Sequence, residues 1–474
     1  MNTKKKEKTY VAINLGSSYI TGIAAHKLSG GRISPIAISR KPSNRSILHG
    51  AIHNVDEAAR IIGQILDDLG QKLPEREIIK SVYVGLECRS MQSRVYHTSL
   101  SLSEEGEIIT LDHLQTLADQ ARDAQYPGME ILRISDPRYY VDGKQEGSPQ
   151  GVRCSRLEAN FQIIIARRSI VANIHETFEN KLGLKIHEIL IAPQAEAVIT
   201  LRPEETMLGC AYINIGGGCT SISIYENRLL SALHILPLGG INVTKDLTHL
   251  HLIEADAERL KVEYGSMNLS IAKDEVIKAI STSGSPDKHL NRYELNRYIS
   301  ARMTEIMSNV MHIIQLSGYE EQIKSGLVIS GGATNIDHFF DIDDKLPIRQ
   351  GRARRELISE AVAEADLKLY QTELGLIYQA KEDCVDQEYN SLENLFDESE
   401  DKPTQPIASM QEKDEGTSSV ESTYTFAATD EGVQDDDFEP AVTQERASVK
   451  GFFSRWGDKL RSTLNQLNGT DEDE

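Results

Sequence analysis

The chain has 474 residues, a formal net charge of −21, 39% hydrophobic residues and 26% charged ones, which is enough apolar content for two or more cored domains. No basic, aromatic-interleaved patch runs through it, which argues against nucleic acid as a partner. Cys88, Cys154, Cys210, Cys219 and Cys384 are scattered without a CxxC pair, so neither a disulfide framework nor a zinc site is indicated and a reducing cytosol is the expected compartment.

The N-terminus, MNTKKKEKTY, is basic but leads into a short strand-like run rather than a signal-peptide core, and no uninterrupted apolar stretch approaches the length of a membrane span. Hydrophobic patterning then predicts strands over 10–15 and 20–26, a helix over 56–69, a strand over 81–85, a helix over 111–125, a strand over 161–166 and a helix over 170–181. Further strands are expected at 210–215, 221–225 and 326–330, with a long helix over 292–316 between the last two. This alternation argues for a mixed α/β body from about residue 10 to 380. His97, His175, His187, His249 and His251 share no metal-ligand spacing, so solvated or core roles are expected for them and no metal site is.

Three segments repeat one arrangement, a strand followed by a glycine-rich turn: VAINLGSS at 11–18, YINIGGGCT at 212–220 and LVISGGATN at 327–335. Glycine in such turns lets backbone N–H groups approach an anion closely, the usual means of cradling phosphate. One such turn is weak evidence, but this set suggests two similar half-domains closing on one nucleotide.

From 382 to 447 the composition shifts to Asp, Glu, Ser, Thr and Gln, with 20 acidic against 3 basic residues, and the segment reads as a disordered linker carrying most of the net charge. A flexible tether of about 65 residues reaches about 45 Å. Beyond it, VKGFFSRWGDKLRSTLNQL at 449–467 stands alone. On a helical wheel Phe452, Phe453, Trp456, Leu460, Leu464 and Leu467 share an arc of roughly 120°. Lys450 and Arg461 lie near one edge of that arc, Arg455 and Lys459 near the other. That layout suits a helix lying in an anionic membrane interface, aromatics toward the acyl boundary and cations at headgroup level. A helix docked on its own domain's core or on a partner is the plainer alternative, disfavoured because this one is terminal, tethered, and holds a Phe-Phe pair and the only Trp.

The run Ile189–Gly265, which includes GGINVTKDL and AERLKVEYG, resembles the FtsA family of bacterial cell-division proteins in the actin superfamily. The first glycine turn, RLEA at 156–159, GGATNI at 331–336 and the isolated terminal helix share the resemblance. It implies an actin-like, ribonuclease H-like α/β fold of two domains. Residues 8–84 and 166–205 would form subdomain 1A, 85–165 the inserted subdomain 1C, 206–243 and 318–381 subdomain 2A with a return to 1A, and 244–317 subdomain 2B, followed by the linker and an amphipathic helix at 448–468. By the same resemblance Gly16, Ser17 and Ser18 match a first phosphate loop and Gly216, Gly217, Gly218, Cys219 and Thr220 a second. Gly239 and Gly240 match a turn bordering the cleft, Glu258 and Lys261 a ribose-contacting pair, and Gly331, Gly332, Ala333 and Asn335 the adenosine motif. The implied partners are ATP, the C-terminal tail of tubulin-like FtsZ, further copies of the chain in a head-to-tail filament through 1C, other division proteins, and the cytoplasmic face of the inner membrane at the division site. Arg292, Arg297 and Arg302, on a helix of 2B, read first as a solvated face, and they are also the best candidates for receiving an acidic partner tail.

The chain departs from the superfamily at the cleft. Asn14 and Asn214 stand where the two loops usually carry Asp, Ala192 where Glu is frequent, and Ser221 where another Asp is common. An uncharged Asn neither attracts Mg²⁺ nor acts as a base near neutral pH. ATP is therefore expected to bind with Mg²⁺ weakly held or dispensable, and hydrolysis to be very slow or absent. A rival reading, a phosphotransferase of the same fold, needs a carboxylate base that these positions do not supply. A chaperone-like switch needs a folded β-rich module downstream, where this chain has linker.

Overall fold

In the computed structural model, the described residues are 8–28, 30–74, 77–270, 275–280, 288–341 and 347–387. The chain opens with a meander of three antiparallel strands, β1 (Thr9–Leu15), β2 (Tyr19–Lys27) and β3 (Ile33–Pro42), followed by helix α1 (Val55–Gly70) and strand β4 (Ser81–Leu86), which runs parallel to β1. β1 and β4 are buried nearly throughout, as befits continuous apolar runs in the middle of a sheet covered on both faces. Helix α1 begins where the Asn54 side chain accepts from the N–H of Glu57 at 3.0 Å, an N-cap that satisfies one otherwise orphaned donor. Its residues Ala58, Ile61, Ile62, Ile65 and Leu69 form the stripe that packs on the sheet.

An inserted module follows, made of β5 (Gln92–Ser101), α2 (Leu111–Arg122), β6 (Met129–Ile134), β7 (Arg138–Val141), β8 (Lys144–Glu146) and the long central strand β9 (Arg156–Arg167). β9 pairs with β5 along one edge and with β6 and β7 along the other. Leu117, Leu157, Phe161 and Ile163 give this module a core of its own, so it is a separate packing unit. β4 belongs to the first sheet through Leu86, which places Gly85 and Leu86 outside the insert and moves its expected start at 85 a few residues later.

The chain returns through β10 (Lys185–Ile191), parallel to β4, into helix α3 (Ala192–Thr200). The second half then repeats the first: β11 (Cys210–Ile215), β12 (Thr220–Glu226) and β13 (Leu229–Leu236) form an antiparallel meander. Helices α4 (Gly240–Leu247), α5 (Glu254–Tyr264) and α6 (Arg292–Leu316) precede β14 (Leu327–Ser330), parallel to β11, and β15 (Ile348–Gln350). The sheets run β3-β2-β1-β4-β10 and β13-β12-β11-β14-β15, the same order and the same pattern of directions twice. This duplicated architecture with a module inserted into its first half is the actin-like fold expected from the sequence.

Helices α7 (Glu364–Leu369) and α8 (Gln371–Gln379) bring the chain back to the first sheet. The approach of α8 to α3 is so close that a Cβ on Gly375 would lie 2.1 Å from the carbonyl oxygen of Ala195; only glycine fits there. The folded body runs past the expected start of the linker at 382, because Val385–Gln387 pairs antiparallel with Glu77–Ile79 and Cys384 is buried. The remaining linker and the membrane-directed residues Lys450, Phe452, Phe453, Arg455, Trp456, Lys459, Leu460, Arg461, Leu464 and Leu467 lie outside the described residues. Among the described residues no helix is long and apolar enough to cross a membrane.

Candidate functional site

Each glycine-rich turn leaves the end of a central strand, β1, β11 or β14, and all three turns converge on one cleft of about 620 Å³. Of the residues expected there, Asn14, Gly16, Ser17, Ser18, Asn214, Gly216, Gly217, Gly218, Cys219, Gly240, Glu258, Lys261, Gly331, Gly332, Ala333 and Asn335 line it. Thr220 and Gly239 do not: Thr220 is fully buried with its hydroxyl donated to the carbonyl of Leu238, and Gly239 packs against the carbonyls of Gly216 and Gly217. Both support the loop from behind.

The first and second loops interlock. A Cβ on Gly217 would lie 2.1 Å from Ser18 Oγ, and one on Gly218 would lie 2.4 Å from Ser17 Oγ, so side chains from one half occupy the space that glycine leaves in the other. His49 Nδ1 sits 2.8 Å from the carbonyl oxygen of Gly218, and the N–H of Gly50 donates to Ser17 Oγ at 2.9 Å. The amides of Gly240 and Ile241, at the start of α4, donate to the carbonyls of Gly216 and Gly217 at 2.9 and 2.8 Å. Lys261 is fully engaged, donating to Glu258 Oε2 at 2.6 Å, Thr244 Oγ1 at 2.8 Å and the carbonyl of Gly240 at 3.0 Å. Its charge is held by the protein itself.

The loops lack carboxylates as expected, yet the cleft does not, and this corrects the sequence reading. Glu87, Glu196 and Glu373 all line it. Asn14 Nδ2 donates to Glu373 Oε1 at 2.9 Å, and Asn214 Nδ2 donates to Glu196 Oε2. Glu196 also accepts from Ser330 Oγ at 2.7 Å and Thr372 Oγ1 at 3.2 Å. Each Asn that replaces a loop Asp thus serves a buried glutamate, and Glu196 lies one helical turn beyond Ala192 on α3. Burial raises the pKa of Glu196 against the pull of its donors, and burial likewise raises that of Glu373. Desolvation pushes Glu87 up to about 8. Among the described residues no His, Cys, Asp and Glu converge to hold a metal ion.

Sequence reasoning missed these glutamates because two of them come from helices distant in the chain. The signal that was available is a lone acid within a small or apolar stretch, APQAEAVIT at 192–200 and ELGLIY at 373–378. It also missed Arg40, Val262, Ile336, Lys368 and Leu369 on the walls.

The arginines on α6 differ in their surroundings. Arg302 forms a two-pronged pair with Asp246, with Nη2 to Oδ1 at 2.9 Å, and Arg292 pairs with Glu275 at 2.7 Å while donating to the carbonyl of Tyr264. Only Arg297 has no carboxylate partner among the described residues. Steps of five residues turn about 140° each around a helix, so the three never share a face.

Residues 89–165 match a family described as the SHS2 domain inserted in FTSA, and residues 211–428 match one described as Cell division protein FtsA. A Porphyromonas gingivalis protein named Cell division protein FtsA is 39% identical over 399 residues, covering 84% of this chain and 83% of that protein. The Escherichia coli K12 protein of the same name is 25% identical over 387 residues, covering 79% of this chain and 91% of that one. Among solved structures, a type IV pilus biogenesis complex of PilM and PilN aligns with a TM-score of 0.53 and 14% identity, covering 78% of this chain and 96% of that one, a likeness of fold alone.

Proposed function

This chain belongs to the FtsA family of cell division proteins, and from that premise we propose that it is a nucleotide-binding, actin-like scaffold that ties a filament of the FtsZ type to the cytoplasmic face of the membrane at the division site. The observation that carries the nucleotide reading is the cleft itself, where the end-of-strand turns of two sheets with one topology meet. Its volume falls within the range usual for sites of small ligands. The third turn offers backbone and the Asn335 amide beside the apolar walls of Val262 and Ile336, a chemistry suited to a nucleoside, while the two serine and glycine loops offer donors to phosphate. The bound triphosphate would supply negative charge to both loops at once and so favour one closure of the halves. Head-to-tail assembly through the inserted module would form a contact that does not close on itself, and tethering on a surface would raise the effective concentration for it.

Hydrolysis is expected to be absent or very slow. The loop positions that would hold the metal and orient water carry Asn14 and Asn214, and the carboxylates of Glu373 and Glu196 behind them are engaged by Asn14 and by Asn214, Ser330 and Thr372. Calorimetric titration of the full chain with ATP, with and without EDTA, combined with a phosphate-release assay, tests this. The expected result is ATP binding that survives EDTA, with no appreciable turnover. Robust Mg²⁺-dependent phosphate release overturns the catalytic half, and binding of neither ATP nor adenosine overturns the nucleotide reading.

A further inference from the structure

The register of the first sheet places one row of residues across its end: Asn14 on β1 lies opposite Thr21 on β2, and Thr21 lies opposite Arg40 on β3. Directly opposed residues project to the same face of a sheet. Asn14 reaches Glu373 on α8, so this is the face onto which the chain's return through α7 and α8 is packed. Tyr19, two residues before Thr21, shares the face, and the Arg40 guanidinium lies 3.7 Å above its ring, a cation–π contact that holds the charge beside the first loop. From α7, Lys368 reaches the same cleft, half-buried. Arg40 and Lys368 have no carboxylate partner among the described residues, unlike Lys261, whose charge is consumed by Glu258. Burial and the nearby Arg352 guanidinium both make the Lys368 ammonium less comfortable than in water. An exposed Arg40 and a half-buried Lys368 on the lining of one cleft, neither paired with a carboxylate among the described residues, offer positive charge to an anion bound there.

We infer that Arg40 and Lys368 form the wall that binds the polyphosphate of the nucleotide, supplying from β3 and α7 the positive charge that the uncharged loops do not. This rests on the nucleotide reading above and names the residues that discriminate a charged nucleotide from its nucleoside. It also accounts for how a triphosphate is tolerated close to Glu87, Glu196 and Glu373 without a tightly held divalent ion, since the two cations offset the charge directly.

The test is calorimetric titration of the full chain and of the variants Arg40→Met and Lys368→Met with ATP, ADP and adenosine, in EDTA. Methionine keeps an apolar stem over Tyr19 and against α7 while removing the charge. Loss of one charge-assisted contact should weaken ATP roughly tenfold to a hundredfold, with ADP weakened less and adenosine unchanged, and Lys368→Arg should restore most of the ATP affinity. Binding of ATP by both Met variants as tightly as by the wild type overturns the assignment while leaving the nucleotide reading intact. Equal loss of ATP and adenosine shows a disturbed cleft and overturns it too. Failure of the wild type to bind any of the three removes the reading and this inference together.

Discussion

Glu87 stands just beyond β4, lines the cleft, and has an Oε1 that is enclosed without a hydrogen-bond partner. Desolvation carries its pKa from 4.5 to about 8, opposed by Ser221 and reinforced by the charge of Glu196. A carboxyl that holds its proton more tightly in the fold than in the unfolded chain contributes stability that is complete below the unfolded value and is lost as pH rises through the folded one. Glu87→Gln replaces the protonated acid with a neutral group of the same shape, so its stability does not decline by this route. At ~1.4 kcal/mol per tenfold change in proton affinity, the span from 4.5 to about 8 sets a ceiling of about 5 kcal/mol. The residue as a whole is only half-buried, and screening brings the expected figure to about 2–4 kcal/mol. The assay is urea unfolding of wild type and Glu87→Gln across a series of pH values from about 5 to about 8.5. The advantage of the variant should be smallest at the acid end and grow steadily as pH rises. A difference between them that stays constant over the whole series would falsify the argument, because Glu87 would then be ionised in the fold throughout.

Replacing both Phe453 and Trp456 by Glu should abolish pelleting of the full chain with anionic vesicles, since burial of such rings contributes several kcal/mol at roughly 25 cal/mol per Å²; pelleting equal to wild type refutes the anchor. Arg302→Ala should destabilise the protein by about 1–3 kcal/mol, because it strands the half-buried Asp246 carboxylate. Arg297→Ala, which breaks no ion pair among the described residues, should change stability by less than about 0.5 kcal/mol, and thermal denaturation of the pair separates the two roles.

What the sequence made legible was local. A strand running into a glycine turn announces both its conformation and its chemistry within ten residues, and VAINLGSS, YINIGGGCT and LVISGGATN each did so. The long helix over Arg292–Leu316 was equally plain, because its apolar stripe repeats over seven turns. Glu373 was hidden for the opposite reason: it meets Asn14 across a separation of 359 residues, and no local pattern records that β1 and α8 are neighbours. Substitution of Asp by Asn at 14 and 214 therefore looked like a loss of charge, whereas the acids stand one residue deeper, with the amides as their donors. Arg40 escaped for a similar reason, since the register of β3 against β2 is what turns a strand-end arginine toward the cleft.

The end of the folded body has a mechanical consequence. Cys384 donates its N–H to the carbonyl of Thr9 at 2.8 Å, Lys80 donates to the carbonyl of Cys384 at 3.0 Å, and Val385–Gln387 is zipped against Glu77–Ile79. Any pull applied through the residues beyond 387 enters the molecule here, at the first residue of β1, and peels the short pair from the Gln387 end before it strains anything else. β1 is the strand that delivers Asn14 and the first serine loop, so tension is directed along one wall of the cleft. Such a pull would load the half that carries the first serine loop before the half that carries the second.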